Sequence, residues 1–237
     1  MAGVYKVLES GAKVPFLAFG TGTALYSQDA TKQVLQALRA GFRHVDAAQM
    51  YANEESVGNA IEAFLSTPND SQSSRIPSRE DIYVTTKFHR TSSGSRTVKD
   101  VLKGQLRALK VDRITNPRHT RSLWDPARFV WWSNACLTQA RWTSDPCSPS
   151  HYKAYERREK RNQASQLGEI NEGQVLLKWL DAKNAIAVTT SSKLDRLQGY
   201  LAVSNIPSLN EEEVHAIDEA GMKIHYRTFM KHMDQPR

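Results

Sequence analysis

Two periods of apolar and polar positions run along this chain, and the switches between them divide most of it into short strands and helices. "VYKVLESGAKVPFLAFG" alternates on both sides of Ser10-Gly11, which predicts a hairpin followed by a short strand. In "SQDATKQVLQALRAG", Val34, Leu35 and Leu38 share a helical face, Ser27 or Asp29 offers an N-cap, and Gly41 offers a stop. "FRHVDAA" then reads as a strand, "EESVGNAIEAFL" as a helix and "DIYVTTK" as a strand. "RTVKDVLKGQLRALK" is a helix with Val98, Val101, Leu102, Leu106 and Leu109 on one side. Residues 66–80 form a polar loop. The pattern resumes after residue 165 with the helix "INEGQVLLKWLDAKN", the strand "AIAVTT" and the helix "SSKLDRLQGYL", opened by a Ser192/Asp195 capping pair. "NEEEVHAIDEAG" is the last helix, with Asn210 and Glu213 at capping-box spacing. Such alternation of strand and helix implies a parallel sheet or barrel.

Residues 113–167 break this order. "WDPARFVWWSNACLTQARWTSDPCSPSHYKAYERREKRNQ" holds no sustained period of 2 or 3.6. Between Arg113 and Ser165 the chain carries a net of +6 out of +7 overall, together with Trp124, Trp131, Trp132, Trp142 and both cysteines. The expected organisation is therefore an ordered part over 1–112, an aberrant and poorly ordered segment over 113–167, and an ordered part over 168–237, within one domain. A frame shift, an unspliced intron or a gene-model error would account for so abrupt a change, and reading the transcript there would test it.

Composition excludes several classes. At 237 residues and 40% apolar the chain can bury a core. No apolar run reaches the roughly 18 residues of a membrane span, and "MAGVYKVLESGAK" lacks the apolar stretch of a secretory signal. A soluble, cytoplasmic protein is the expectation. Cys136 and Cys147 have neither metal-ligand spacing nor the density of a disulfide scaffold. The Arg/Trp mixture of the middle could serve a basic nucleic-acid-binding module through phosphate contacts and stacking, but nothing in the pattern builds an ordered groove for it.

Candidate chemistry collects where strands end. In α/β barrels, functional groups sit at the carboxyl ends of strands. Asp46 ends one strand, Lys87 ends the next, and Tyr51 lies in the loop just after Asp46. Taken singly, each has an ordinary reading as a helix cap, an ion-pair partner or a solvated side chain. Their combination is what "GFRHVDAAQMYANEESVG" adds: it closely resembles the aldo-keto reductase signature, with Gly41, Arg43, Asp46, Ala48, Glu54 and Gly58 at the matching places. "IYVTTKF" resembles the strand carrying that family's lysine, "VTTSSKLDRL" its cofactor segment, and "EGQVLLKW" and "EEEVHAIDEAG" its flanking helices.

The resemblance covers residues 4–112 and about 168–232, and it implies an α/β fold derived from the (β/α)8 TIM barrel. A βαβ unit takes about 30 residues, so the short middle implies an incomplete barrel, with about strands five to seven and most of strand four missing. An incomplete barrel exposes edges, which implies low solubility or partnering. The implied activity is NADPH-dependent reduction of a small aldehyde or ketone, with no membrane or metal. Tyr51 would donate the proton, and the Lys87 ammonium would stabilise the phenol's anion. Asp46 would hold Lys87 in place. For the cofactor, the resemblance implies Gly22 and Thr23 in "FGTGT", Asp46, and Ser191, Ser192, Lys193 and Arg196, with Arg196 matching the arginine near the adenosine 2′-phosphate.

Two departures qualify this picture. Thr189-Thr190-Ser191 stands where many members have Pro-Lys-Ser, so the usual phosphate-binding lysine is missing. The family's catalytic histidine would fall at Thr115; nearby His119 lies in "NPRHTRS", which is no strand end. His89, just after Lys87, reads as an exposed loop residue or a pocket residue. Two leading readings therefore stand: an active reductase, and a catalytically inactive remnant or truncated isoform that keeps half of the site.

Overall fold

A computed structural model of the chain describes residues 4–8, 11–66, 77–89, 97–114, 129–131 and 170–222. Thr115, His119, both cysteines, most of the middle stretch and residues 67–76 of the polar loop lie outside them. The chain opens with the expected hairpin: β1 (Tyr5–Val7) pairs antiparallel with β2 (Lys13–Pro15), and Gly11 takes a φ of 79° in the turn, a conformation costly for a side chain with a Cβ.

Three strand-helix units follow. They are β3 (Leu17–Gly20) with α1 (Thr31–Ala40), β4 (His44–Asp46) with α2 (Glu54–Ser66), and β5 (Tyr83–Thr85) with α3 (Val98–Ala108). One further strand, β6 (Phe129–Trp131), comes from the middle stretch, where the sequence pattern predicts none. After it come α4 (Glu172–Ala182), β7 (Ile186–Thr189), α5 (Leu194–Leu201) and α6 (Glu211–Met222). Among the described residues no helix is long and apolar enough to cross a membrane.

Strand order shows what kind of sheet this is. The five strands β5-β4-β3-β7-β6 lie in that order, all parallel. β3, first of the set, lies beside β7, its last, and the adjacency of first and last strands is what closing a barrel requires. Side chains alternate across the sheet. Phe19, Val45, Val84 and Ala187 join the helix residues Val34, Leu38, Val57, Ile61 and Leu197, and Leu109 just past α3, in one apolar core. The alternate set, Ala18, His44, Asp46, Tyr83, Thr85, Ile186 and Val188, therefore faces the other side, and it too is buried.

Local signals hold in most places and fail in three. Gly41 ends α1 at a φ of 123°, and Asn210 and Glu213 exchange both bonds of the capping box at 2.9 and 2.8 Å. The N-cap of α1 is Ala30 rather than Ser27 or Asp29, although Asp29 still accepts from the Thr31 N–H at 2.8 Å. The N-cap of α5 is Lys193 and not the Ser192/Asp195 pair; Ser191 Oγ accepts the Lys193 N–H at 3.0 Å instead. On α3, Val98 is 61% exposed, while Gln105, a polar residue among Leu102, Leu106 and Leu109, is buried.

Candidate active site

Alternation along β4 explains why an arginine, a histidine and an aspartate sit at one strand. Arg43 points to the helix layer. Its Nη1 donates to the Leu38 and Phe42 carbonyls at 2.9 and 2.8 Å, satisfying acceptors at the end of α1, and its guanidinium lies over the Phe64 ring at 5.2 Å. His44 and Asp46, two residues apart, share the opposite face. His44 is fully buried between the Pro15 carbonyl, 3.3 Å from Nδ1, and the Thr85 hydroxyl, 2.9 Å from Nε2. A carbonyl only accepts, so Nδ1 carries the proton and Nε2 accepts from Thr85. Burial pushes the imidazole down to about 4, against the Pro15 bond and with help from the Lys87 charge.

Asp46, pinned in the ladder opposite Gly20 and Thr85, places its carboxylate at the strand's carboxyl end with no exposure. Lys87 Nζ donates to both of its oxygens at 2.8 and 2.7 Å and to the Ala47 carbonyl at 3.0 Å. The same nitrogen lies 3.4 Å from the Tyr51 hydroxyl and 5.0 Å from that ring's centroid. Four acceptors compete for three N–H bonds, and the contact to Tyr51 is the longest.

Tyr51 ends a short 3-10 turn (Gln49–Tyr51) and is 5% exposed, with the Tyr26 ring packed at 6.3 Å. Its ionisation does not follow the sequence-based expectation. Burial first, and the Asp46 charge second, hold the phenol well above its ordinary value. Lys87, whose ammonium is already paired with Asp46, does not offset these two effects.

The cofactor candidates fall along the same rim. Gly22 and Thr23 are half-buried in the loop leaving β3, which has β4 on one side and β7 on the other. Just past β7, Ser191 is buried and Ser192, Lys193 and Arg196 are exposed. The structure thus brings Asp46, Tyr51 and Lys87 into contact and sets Gly22, Thr23 and Ser191 at the carboxyl ends of the adjoining strands. His89 is exposed, its backbone N–H donating to Gln49 Oε1 at 2.9 Å.

Sequence reasoning missed a polar shell around these groups. Asn53 Nδ2 donates to the Thr21 and Leu25 carbonyls at 2.9 and 2.7 Å, tying the β3 loop to the start of α2. Thr86 Oγ1 and Gln105 Nε2 both donate to Glu54 Oε1, at 2.6 and 3.0 Å. The signal for Gln105 was visible as a polar residue at a core position of a helix. Gly58, in the quoted signature, marks where α2 meets α3: a Cβ there would lie 2.3 Å from the Ala108 carbonyl oxygen.

Residues 17–116 match the aldo/keto reductase family. An NAD/NADP-dependent indole-3-acetaldehyde reductase of Schizosaccharomyces pombe is 25% identical over 287 aligned positions, covering 95% of this chain and 98% of that protein. Aldehyde reductase YPR1 of Saccharomyces cerevisiae is 37% identical over 45% of this chain, and an aldo-keto reductase of Mycobacterium sp. is 38% identical over 48%. The chain matches only 30% and 36% of the length of these two relatives. Among solved structures, an aldo/keto reductase from Brucella melitensis superposes with a TM-score of 0.63 at 17% identity, over 92% of this chain and all of that one. A Bombyx mori aldo-keto reductase in complex with NADP gives 0.66 at 19%, over all of this chain and 98% of the other. The fold is that of the aldo-keto reductases on which the chain superposes, and the segment 17–116, which holds Asp46, Tyr51 and Lys87, matches the aldo/keto reductase family.

Proposed function

We propose that this chain is an NADPH-dependent carbonyl reductase that acts on a small aldehyde or ketone in the cytoplasm, with Tyr51 as the proton donor. The supporting observation is one ammonium, Lys87 Nζ, in contact with a buried carboxylate and a buried phenol together. Asp46 fixes Lys87. Lys87 donates toward the Tyr51 oxygen, and a phenol that accepts there keeps its own proton for a developing alkoxide. Burial keeps Tyr51 protonated through the neutral range, the form a donor must have. NADPH, when bound, supplies the hydride. The residues toward its phosphate end fit such a group: Lys193 and Arg196 are exposed cations at a helix start, and Ser191 organises the turn before it. Gly22 and Thr23 would flank it at the end of β3, and Ser192 at the start of α5.

A second reading, a chain that keeps half of the site and turns over very slowly, is favoured by the extent of the family match, which ends at residue 116, and by Thr115 standing where the resemblance implies the catalytic histidine. Screening a carbonyl panel by NADPH absorbance, with Tyr51→Phe alongside, tests both. The reductase reading expects consumption that Tyr51→Phe lowers about a hundredfold or more. Consumption that Tyr51→Phe leaves intact overturns the role of Tyr51. Background rates in both proteins, with turnover recovered when strands of a complete relative replace the middle stretch, support the slow chain instead.

A further inference from the structure

We propose that Gln105 and Glu54 are positioning residues for Lys87, a proposal that rests on the reading of Lys87 as part of the reductase site. The last ladder residue of β5 is Thr85, so residues 86–89 lie beyond the sheet and the Lys87 backbone is not held by strand pairing. Gln105 of α3 reaches it directly, and Glu54 of α2 reaches it through Thr86. Gln105 Nε2, on α3, lies 3.3 Å from the Lys87 carbonyl, 2.9 Å from Thr86 Oγ1 and 3.0 Å from Glu54 Oε1. Glu54, the first residue of α2, also accepts from Thr86 Oγ1 at 2.6 Å. Besides these, the Gln49 N–H donates to the Lys87 carbonyl at 3.1 Å. Gln105 is 5% exposed on a helix face whose neighbours are leucines, and burying an amide there costs free energy that a packing role alone does not require. The contact it serves has little slack, because Lys87 Nζ and the Tyr51 hydroxyl are already 3.4 Å apart and a shift of a few tenths of an ångström breaks it.

The test reads Lys87 directly. In the full chain labelled with 15N-lysine, the Lys87 ammonium signal is assigned by its loss in Lys87→Arg, and its proton-exchange rate is compared among Gln105→Met, Glu54→Gln and Glu54→Ala. Gln105→Met keeps the volume and removes the amide. It is expected to speed Lys87 exchange roughly fivefold or more while the ammonium of Lys178, buried elsewhere, stays unchanged. Glu54→Gln retains an acceptor oxygen and should stay near wild type, whereas Glu54→Ala should match Gln105→Met. Lys87 exchange within twofold of wild type in a folded Gln105→Met overturns the proposal, and so does equal acceleration at Lys87 and Lys178. If Gln105→Met does not fold, Thr86→Val removes the Thr86 bonds to Gln105 and Glu54 with little change of shape and is read by the same criterion. Where turnover is measurable, kcat should fall with KM unchanged. A wild type without turnover defeats the reductase reading, yet the exchange rates still decide the positioning role.

Discussion

Replacing Lys87 by methionine keeps an unbranched side chain of similar length and deletes only the ammonium. The Asp46 carboxylate, with no solvent exposure, then loses contacts of 2.8 and 2.7 Å to its two oxygens. Breaking a buried pair from one side costs about 3–5 kcal/mol, and because the Lys87 side chain is 27% exposed, water can enter its place and the low end, about 3 kcal/mol, is expected. The pH dependence carries the diagnosis. Without its cation, Asp46 should take up a proton more readily folded than unfolded, so its folded pKa rises. A raised carboxyl contributes its full stability below the unfolded value near 4 and loses it as pH rises, at up to about 1.4 kcal/mol per unit. Lys87→Met should therefore lie close to wild type near pH 4 and fall furthest behind near pH 8. Urea midpoints at both pH values, for wild type, Lys87→Met and Asp46→Asn/Lys87→Met, measure this, and the double variant should recover stability at pH 8. A Lys87→Met protein within about 1 kcal/mol of wild type at pH 8, with no dependence on pH, refutes the reasoning.

Other perturbations test other parts of the molecule. His44, held down to about 4 by burial, binds fewer protons folded than unfolded, so stability is complete above pH 6.5 and falls as pH drops toward 4, by about 3 kcal/mol in all; urea midpoints across that window should flatten in His44→Gln. Gly58→Ala gains about 1 kcal/mol of helix propensity, yet its Cβ would meet the Ala108 carbonyl at 2.3 Å. The net effect should be a lower melting temperature, and a rise would show that α2 and α3 can separate freely. At Asp181, burial works against ionisation but hydrogen bonds from Lys178 and Lys6 outweigh it and hold the carboxyl below its usual range. Asp181→Asn leaves those two nearly buried lysines without their carboxylate, and amide exchange in β1 and β2 should accelerate as Lys6 keeps only its bond to the residue-181 carbonyl on α4.

What the sequence made legible follows from how far apart the partners of each interaction lie. Asn210 and Glu213 are three residues apart, so their capping box could be read directly. At α5 the same logic failed because Ser191, Ser192 and Lys193 are polar in succession and any of them could begin the helix. On α3 the period identified a face but not which end of it meets a neighbour. α2 approaches at Ala108 and Leu109, so burial concentrates there and Val98, ten residues earlier, stays in solvent. Asp46 and Lys87, 41 residues apart, were linked only because each lies in a segment that resembles one family, whereas Gln105, 51 residues from Glu54, lies in no such segment. The direction of the Tyr51 shift lay beyond sequence because it depends on how completely the phenol is buried and on the Asp46 charge near it. β6 is the sharpest case. Three residues are too few to display a period, and Phe129–Trp131 becomes a strand through its parallel register with Ile186, Ala187 and Val188 of β7, a partner more than fifty residues away.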